Sequence, residues 1–353
     1  MDKAIIYYFS GTGNAARVAQ WLDDEFAELA LSSSVFSIVE KQNLKYPEQD
    51  DKLIGFCYPT HGFNVIPVML HFILRFPRGN NQSVFLMNTR AGMKLSTLFV
   101  QGLSGAALFF PAIILMLKGY RIVGLRSIDL PSNWVSLHPG LRNKVVDSMF
   151  IHWEQKARQF ARKIIDGKKV YRGFYDLPVD VLLTPIAALY YFVGRFGLSK
   201  TFMPNHKCNN CNQCVKDCPL EAIIYKNNRP YWTFRCESCM KCINLCPQKA
   251  IQTTHMFTVY SWHYLMIISS LFIAIVVRKF FPGLQTDSTL LNLLLFCLES
   301  ALGLGLIWVV YYIAHALLRY KWVERMMYYS SLTNYKFWRN YFAPGRKTGK
   351  RKT

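Results

Sequence analysis

Residues 4–17 read AIIYYFSGTGNAAR, an apolar run that breaks at Ser10 into glycines and small hydroxyl-bearing residues. A buried strand, such a loop and then a helix make an anion site. Glycine lets backbone N–H groups approach, and a helix start favours negative charge. Three ligands compete for the loop. A Walker loop needs G-x-x-x-x-G-K-[ST], and no lysine stands in this window, so that mode of binding ATP is out. A dinucleotide needs G-x-G-x-x-G/A, met by Gly11, Gly13 and Ala16. The single phosphate of FMN needs hydroxyls and amides in one tight turn, supplied by Ser10, Thr12 and Asn14. The motif alone leaves the last two open.

Working outward, residues 1–166 alternate between strand-like and helix-like segments, the pattern of a parallel sheet covered on both faces. Strands are expected at 3–9, 34–39, 53–57, 83–88 and 121–127, and helices near 14–30, 64–76, 98–118 and 140–166. In an open α/β sheet the ligand lies beyond the carboxyl ends of the strands, where the strand order reverses. Three loops should then converge: Ser10, Gly11, Thr12, Gly13 and Asn14; the YPTHGFN segment with Pro59, Thr60, His61, Gly62 and Phe63; and the NTRAG segment with Asn88, Thr89, Arg90 and Gly92. His61 and Phe63 are flat groups suited to packing against an isoalloxazine ring.

Eight of the ten cysteines fall between 208 and 246, in two sets of identical spacing. Cys208, Cys211, Cys214 and Cys218 precede Pro219, and Cys236, Cys239, Cys242 and Cys246 precede Pro247. Each set reads C-x2-C-x2-C-x3-C-P, the bacterial ferredoxin run, in which the fourth cysteine serves the other set's cluster. One [4Fe–4S] cluster should therefore take Cys208, Cys211, Cys214 and Cys246, and the second Cys236, Cys239, Cys242 and Cys218. Zinc ribbons use C-x2-C pairs, and a disulfide framework is at odds with a chain whose start reads as cytoplasmic. Cys57 and Cys297 stand outside the pattern and read as small buried apolar residues.

The stretch YYFSGTGNAARVA at 7–19, the five-strand spacing and the double cluster run together resemble the flavodoxin–ferredoxin fusions called the ferrodoxin family. The resemblance covers roughly residues 1–166 and 200–255. It implies a flavodoxin-like doubly wound sheet whose first loop binds the FMN phosphate and whose loops after the third and fourth strands hold the ring. A Rossmann alternative persists because Glu40 ends the second strand, where it could meet a ribose.

Lys and Arg number 42 against 21 Asp and Glu, a balance that points to a negatively charged partner surface, nucleic acid or membrane. Residues 257–277 carry no charge and are long enough to span a bilayer, and 289–318 form a second apolar run broken only by Asn292, Glu299 and His315. Arg319, Lys321 and Arg325, then Arg346, Lys347, Lys350, Arg351 and Lys352, follow it. The positive-inside rule places that tail in the cytoplasm, making the two runs a hairpin. A hairpin supplies an anionic lipid surface, so nucleic acid is not needed to explain the charge. Two further apolar stretches, 98–117 and 178–198, are read as a covering helix and a linker helix resting on the membrane surface. As spans they would sever the fifth strand from its sheet and place nine basic residues between 142 and 172 on the wrong side.

The expected organisation is an FMN domain at 1–166, an apolar linker at 167–203, a two-cluster ferredoxin domain at 204–255, a transmembrane hairpin at 256–320 and a basic, aromatic tail at 321–353. No signal-peptide pattern opens the chain, which suggests the cytoplasmic face of a prokaryotic plasma membrane. FMN exchanges one or two electrons and each cubane one, so the leading expectation is an electron carrier working with a membrane-associated redox partner. A flavin-dependent reductase of a quinone and an iron–sulfur sensor are the alternatives. His263 and His315 fall at one depth in the hairpin. The interface with lipid headgroups is the simpler place for them, haem ligation the bolder one.

Overall fold

A computed structural model describes residues 3–40, 42–47, 53–281 and 288–338. The N-terminal part runs β1 (Lys3–Tyr8), α1 (Asn14–Glu28), β2 (Ser32–Ser37), β3 (Leu53–His61), β4 (Asn64–Val65), α2 (Pro67–Arg75), β5 (Ser83–Leu95), β6 (Leu98–Val100), α3 (Ala106–Leu117), β7 (Arg121–Pro131) and α4 (Asn143–Ile165). Five of these strands are parallel and pair in the order β2-β1-β3-β5-β7. Counted among themselves they read 2-1-3-4-5, the flavodoxin-like winding, which differs from the 3-2-1-4-5-6 of a Rossmann domain. Successive residues of β1 serve opposite faces. Ala4 and Ile6 join the core under α1 and α4, while Ile5, Tyr7 and Phe9 join the one under α2 and α3. Between α1 and α4, fully buried Glu25 meets Arg158 at 3.0 Å and also Arg162.

The sheet is longer than the sequence suggests. β3 and β5 stay paired as far as Pro59 and Thr89, and β5 and β7 as far as Gly92 and Pro131. β5 then turns back at Ser96, whose φ is 54°, and pairs with β6 from Met93↔Val100 to Leu95↔Leu98. That hairpin removes residues 98–100 from the helix expected at 98–118. The helix starts after Gly105 instead, a left-handed residue whose missing side chain would lie 2.4 Å from the Phe63 carbonyl oxygen. α3 buries Leu108, Ala112 and Leu115 against the sheet and leaves Phe110, Ile113 and Met116 exposed.

Residues 172–199 form a broken helical strap: a turn at Arg172–Asp176, α5 (Leu177–Leu182), α6 (Thr184–Leu189), a wide turn at Tyr190–Gly194 and α7 (Arg195–Ser199). The axis bends by 76° between Leu182 and Thr184. Pro185 lies in the first turn of α6, where its missing N–H is harmless, but it prevents α5 from continuing.

The ferredoxin part follows: β8 (Phe202–Pro204), α8 (Gln213–Lys216), β9 (Ile223–Lys226), β10 (Arg229–Trp232), α9 (Lys241–Leu245) and β11 (Ile251–Thr253). β9 pairs antiparallel with β10, and β11 with β8. The repeat in sequence is a repeat in backbone. Left-handed residues recur at Asn210 and Ser238, at Asn212 and Met240, and at Glu221 and Lys249.

Beyond β11 the chain enters α10 (His255–Phe280), then α11 (Thr289–Leu317) and α12 (Lys321–Tyr329). α10 and most of α11 are long and apolar enough to cross a membrane, with mean hydropathies of 1.7 and 2.3. They approach each other at Gly303, where a side chain would meet Met266 Sδ at 3.0 Å and Ser269 Oγ at 3.7 Å. Small residues at such a crossing let the helices pack closely. Gly303→Leu is expected to cost about 1–3 kcal/mol through overpacking, read as a lower Tm in detergent. Gly303→Ala should be close to neutral, because the Met266 tip can move.

The pair is rooted in the ferredoxin part. Tyr311, Ala314 and Leu318 pack with Met203, Val323 and Met327, and His315 Nε2 donates to the Pro230 carbonyl at 3.0 Å. His263 of α10 is exposed, whereas His315 of α11 is buried at this root. Cys57 is buried in the sheet core, whereas Cys297 of α11, expected to be buried, is exposed. Residues 282–287 of the connection, and the basic residues Arg346, Lys347, Lys350, Arg351 and Lys352, lie outside the described residues.

Candidate functional site

A cleft opens at the carboxyl ends of β1, β3, β5 and β7, the edge at which ligands of such sheets bind. Its floor is the loop after β1. Ser10 Oγ accepts from the Gly13 amide at 3.0 Å, and Gly13 is left-handed at φ 105°, so the chain turns sharply into α1. Asn14 Nδ2 donates to the Pro131 carbonyl at 2.9 Å, and Asn133 Nδ2 donates to Thr12 Oγ1. The loop after β1 is thereby stitched to the loop after β7. Ser10, Gly11, Thr12 and Asn14 line the cleft; Gly13 shapes the turn from outside it.

Of the second expected loop, Pro59, Thr60 and His61 line the cleft. Gly62 and Phe63, expected to face a ring, are instead the two central residues of the tight β3–β4 hairpin. Both are left-handed, at φ 53° and 61°, as a hairpin of this length prefers. The Phe63 carbonyl accepts from the Ala106 amide at 2.8 Å, and Phe63 is not among the cleft-lining residues. The third expected loop, Asn88–Gly92, is β-strand in the structure because β7 pairs with it along its length. Thr89 and Arg90 still line the cleft. Asn88 turns to Thr60 Oγ1 at 2.7 Å, and Gly92 packs against Asp129. Arg90 is buried and committed, with Asp129 and Asp176 each at 2.6 Å, so its charge serves the fold.

Sequence reasoning missed the fourth wall, Pro131–Trp134 with His138. The signal was an asparagine and a tryptophan just past the fifth strand, at the edge where ligands bind. The Trp134 ring stands 5.1 Å from His61 and 5.5 Å from Tyr190, and its Nε1 donates to the Ser238 carbonyl at 3.0 Å. Burial pushes His61 down to about 4, so the ring is neutral near pH 7. Asn14 Oδ1, Asn133 Oδ1 and His61 Nδ1 are buried without a partner. The two amide oxygens are acceptors suited to ribityl hydroxyls, the Ser10–Gly13 turn suits a phosphate, and Trp134 offers a flat apolar wall. The residues fit FMN. Glu40 lies elsewhere, in a groove with Ile38, Leu220 and Arg235, away from any ribose in this cleft.

The cysteines ring two further cavities. Cys208, Cys211, Cys214 and Cys246 line one, which Cys242 also borders; Cys218, Cys236, Cys239 and Cys242 line the other. The fourth cysteine of each run thus reaches the partner run's cavity. Backbone amides point at sulfur in matching places, Ala222 N–H to Cys218 Sγ at 3.2 Å and Ala250 N–H to Cys246 Sγ at 3.3 Å. Burial pushes the Cys214 and Cys239 thiols up to about 12. Among the described residues no three His, Cys, Asp or Glu side chains converge closely enough for a single metal ion.

The two sites touch. Cys239 lines both the second cysteine cavity and the cleft. A side chain on Gly11 would lie 2.4 Å from the Cys239 carbonyl oxygen, so glycine is what lets the loop after β1 meet the cysteine loop. Val68 N–H donates to Glu237 Oε2 at 3.0 Å, fastening α2 to the same cysteine loop.

Residues 207–251 match the family described as the 4Fe-4S dicluster domain. None of the curated proteins matches the chain. Among solved structures it is similar to a flavodoxin from the domain Archaea (14% identity, 46% of this chain and 98% of that one, TM-score 0.31). Oxidised flavodoxin 1 from Bacillus cereus is alike at 15% identity, over 46% and 98% of the two chains, with TM-score 0.31. Rubredoxin oxygen:oxidoreductase from Desulfovibrio gigas matches at 12% identity over 47% of this chain and 37% of that one, TM-score 0.32. A ferredoxin-type 4Fe-4S domain joined to a flavodoxin-like sheet supports a redox, electron-transfer role.

Proposed function

We propose that this chain is a membrane-anchored electron-transfer protein that holds two [4Fe–4S] clusters and FMN, with α10 and α11 as a transmembrane hairpin. The observation that carries the reading is the meeting of the loop after β1 with the Cys239 loop at Gly11. A conduit needs its carriers adjacent, and here one residue borders both sites. Bound FMN would supply a centre that exchanges either one or two electrons, next to centres that exchange one. The residues do the rest. Ser10, Thr12 and the α1 start hold the phosphate, Asn14 and Asn133 take the ribityl chain, and Trp134 and His61 wall the ring and keep water away. The crossed cysteine sets hold the clusters at the first cavity, beside β10, and at the second, beside the cleft.

The hairpin reading draws on the length and apolarity of both helices and on their common root in the ferredoxin part. The excess of Lys and Arg suits an anionic lipid surface on the side of the domains. A membrane-associated redox protein is the proposed partner.

Anaerobically purified protein is expected to yield FMN on denaturation, with no FAD or nicotinamide, and about eight irons per chain. Gly11→Val should separate the two halves of the conduit. Its side chain collides with backbone, which cannot swing aside as a side-chain tip would. Electron exchange between reduced clusters and flavin, followed by stopped-flow absorbance, should slow sharply in that variant. Exchange at the original rate would remove the Gly11–Cys239 contact from the argument.

A further inference from the structure

The strap at 172–199 carries more exposed apolar surface than its place in the fold requires. Tyr175 is 82% exposed, Leu182 77% and Phe192 70%, with Ile186 and Leu189 also exposed. In α6, Ile186 and Leu189 stand three residues apart and so share one face, and Leu182 is exposed at the end of α5, across the bend. The opposite face is committed to the protein. Asp180 Oδ1 accepts from the Gly105 amide at 2.7 Å, Ala187 is buried, and the Tyr190 ring covers Gly62. Between 177 and 194 the one charged residue is Asp180, turned inward. Such a concentration of exposed apolar side chains marks a contact surface.

Two observations name the contact. The strap continues into the hairpin through a row of rings: Phe196 lies 6.3 Å from Phe234, and Phe234 lies 4.3 Å from Trp308 of α11. Trp308 stands about two and a half turns before the end of α11, the depth at which tryptophan marks a membrane interface. Exposed basic residues also flank the apolar face, with Lys168, Lys169 and Arg172 just before it. Apolar residues beside cations are the composition of a segment that lies in the headgroup layer and dips its apolar side into the acyl chains.

We infer that the strap is a third membrane contact: a bent, monotopic wedge in the leaflet facing the domains, with anionic phospholipid as its occupant. It rests on the reading of α10 and α11 as a hairpin. Because the strap also covers Gly62 beside the cleft, it fixes the cleft close to the membrane surface.

The test uses the full chain in nanodiscs of mixed anionic and zwitterionic phospholipid. The photoreactive p-benzoylphenylalanine replaces, one at a time, Leu189, Phe192, Phe296 of α11, or Leu29 at the other edge of the sheet. All four positions are exposed, so the substitutions leave the core alone. Irradiation should give lipid adducts at Leu189, Phe192 and Phe296 and none at Leu29, read by mass spectrometry. Lipid adducts at Phe296, with protein adducts or none at Leu189 and Phe192, would overturn the wedge and leave the hairpin standing. Lipid adducts at Leu189 and Phe192 but not at Phe296 would uphold the wedge and overturn the hairpin.

Discussion

Cys246→Ser is expected to abolish the cluster of the first cysteine run, and Cys218→Ser that of the second, the reverse of their order in the chain. Of about eight irons per chain, each variant should lose about four. The geometry behind this is direct: Cys246 shares a cavity with Cys208, Cys211 and Cys214, and Cys218 shares one with Cys236, Cys239 and Cys242. Iron and acid-labile sulfide give the loss, and EPR of the reduced protein shows which signal remains. The two variants should also differ at the flavin. Cys239 borders the cleft, so loss of the second cluster should perturb the flavin absorbance bands, and loss of the first should leave them nearly unchanged. A Cys246→Ser protein that kept the first signal and lost the second would overturn the crossed arrangement.

What could be read from the sequence divides along physical lines. The ferredoxin-type 4Fe-4S domain was legible because its cysteine spacing is local to short loops, whatever surrounds them. Strand existence was legible from Ile5–Phe9, Leu53–Cys57 and Val84–Met87, apolar runs buried on both faces. Strand length was not. β5 runs on through Asn88, Thr89 and Arg90, which look like loop residues, because β7 offers it hydrogen bonds and Asp129 and Asp176 satisfy the arginine. Such tertiary partners override local propensity. Two of the three expected cofactor loops therefore proved to be largely strand. The wall they did not supply comes from Ser132–Trp134, whose role depends on strand β7 ending beside the loop after β1. Nothing local to PSNW says that.

Thr12→Glu should remove the flavin while sparing the clusters. Thr12 is nearly buried and accepts from Asn133 Nδ2, at the turn that faces the start of α1. A carboxylate there stands against a phosphate that carries one to two negative charges. Two unit charges about 4 Å apart in surroundings of effective dielectric about 20 repel by roughly 4 kcal/mol, a loss of about three powers of ten in affinity. The loss of the hydroxyl acceptor for Asn133 adds to it. Thr12→Ser keeps that oxygen and should bind almost normally. FMN titration of the apoprotein gives the affinity, and iron content near the original value shows that the ferredoxin part has survived. Should Thr12→Glu bind FMN as tightly as the original protein, the phosphate does not sit in this turn. If a nicotinamide nucleotide were recovered instead, with Glu40 essential, the nucleotide would have to reach the groove that Glu40 lines with Leu220. The position of Glu40, beside Arg235 and away from the loop after β1, argues against that arrangement.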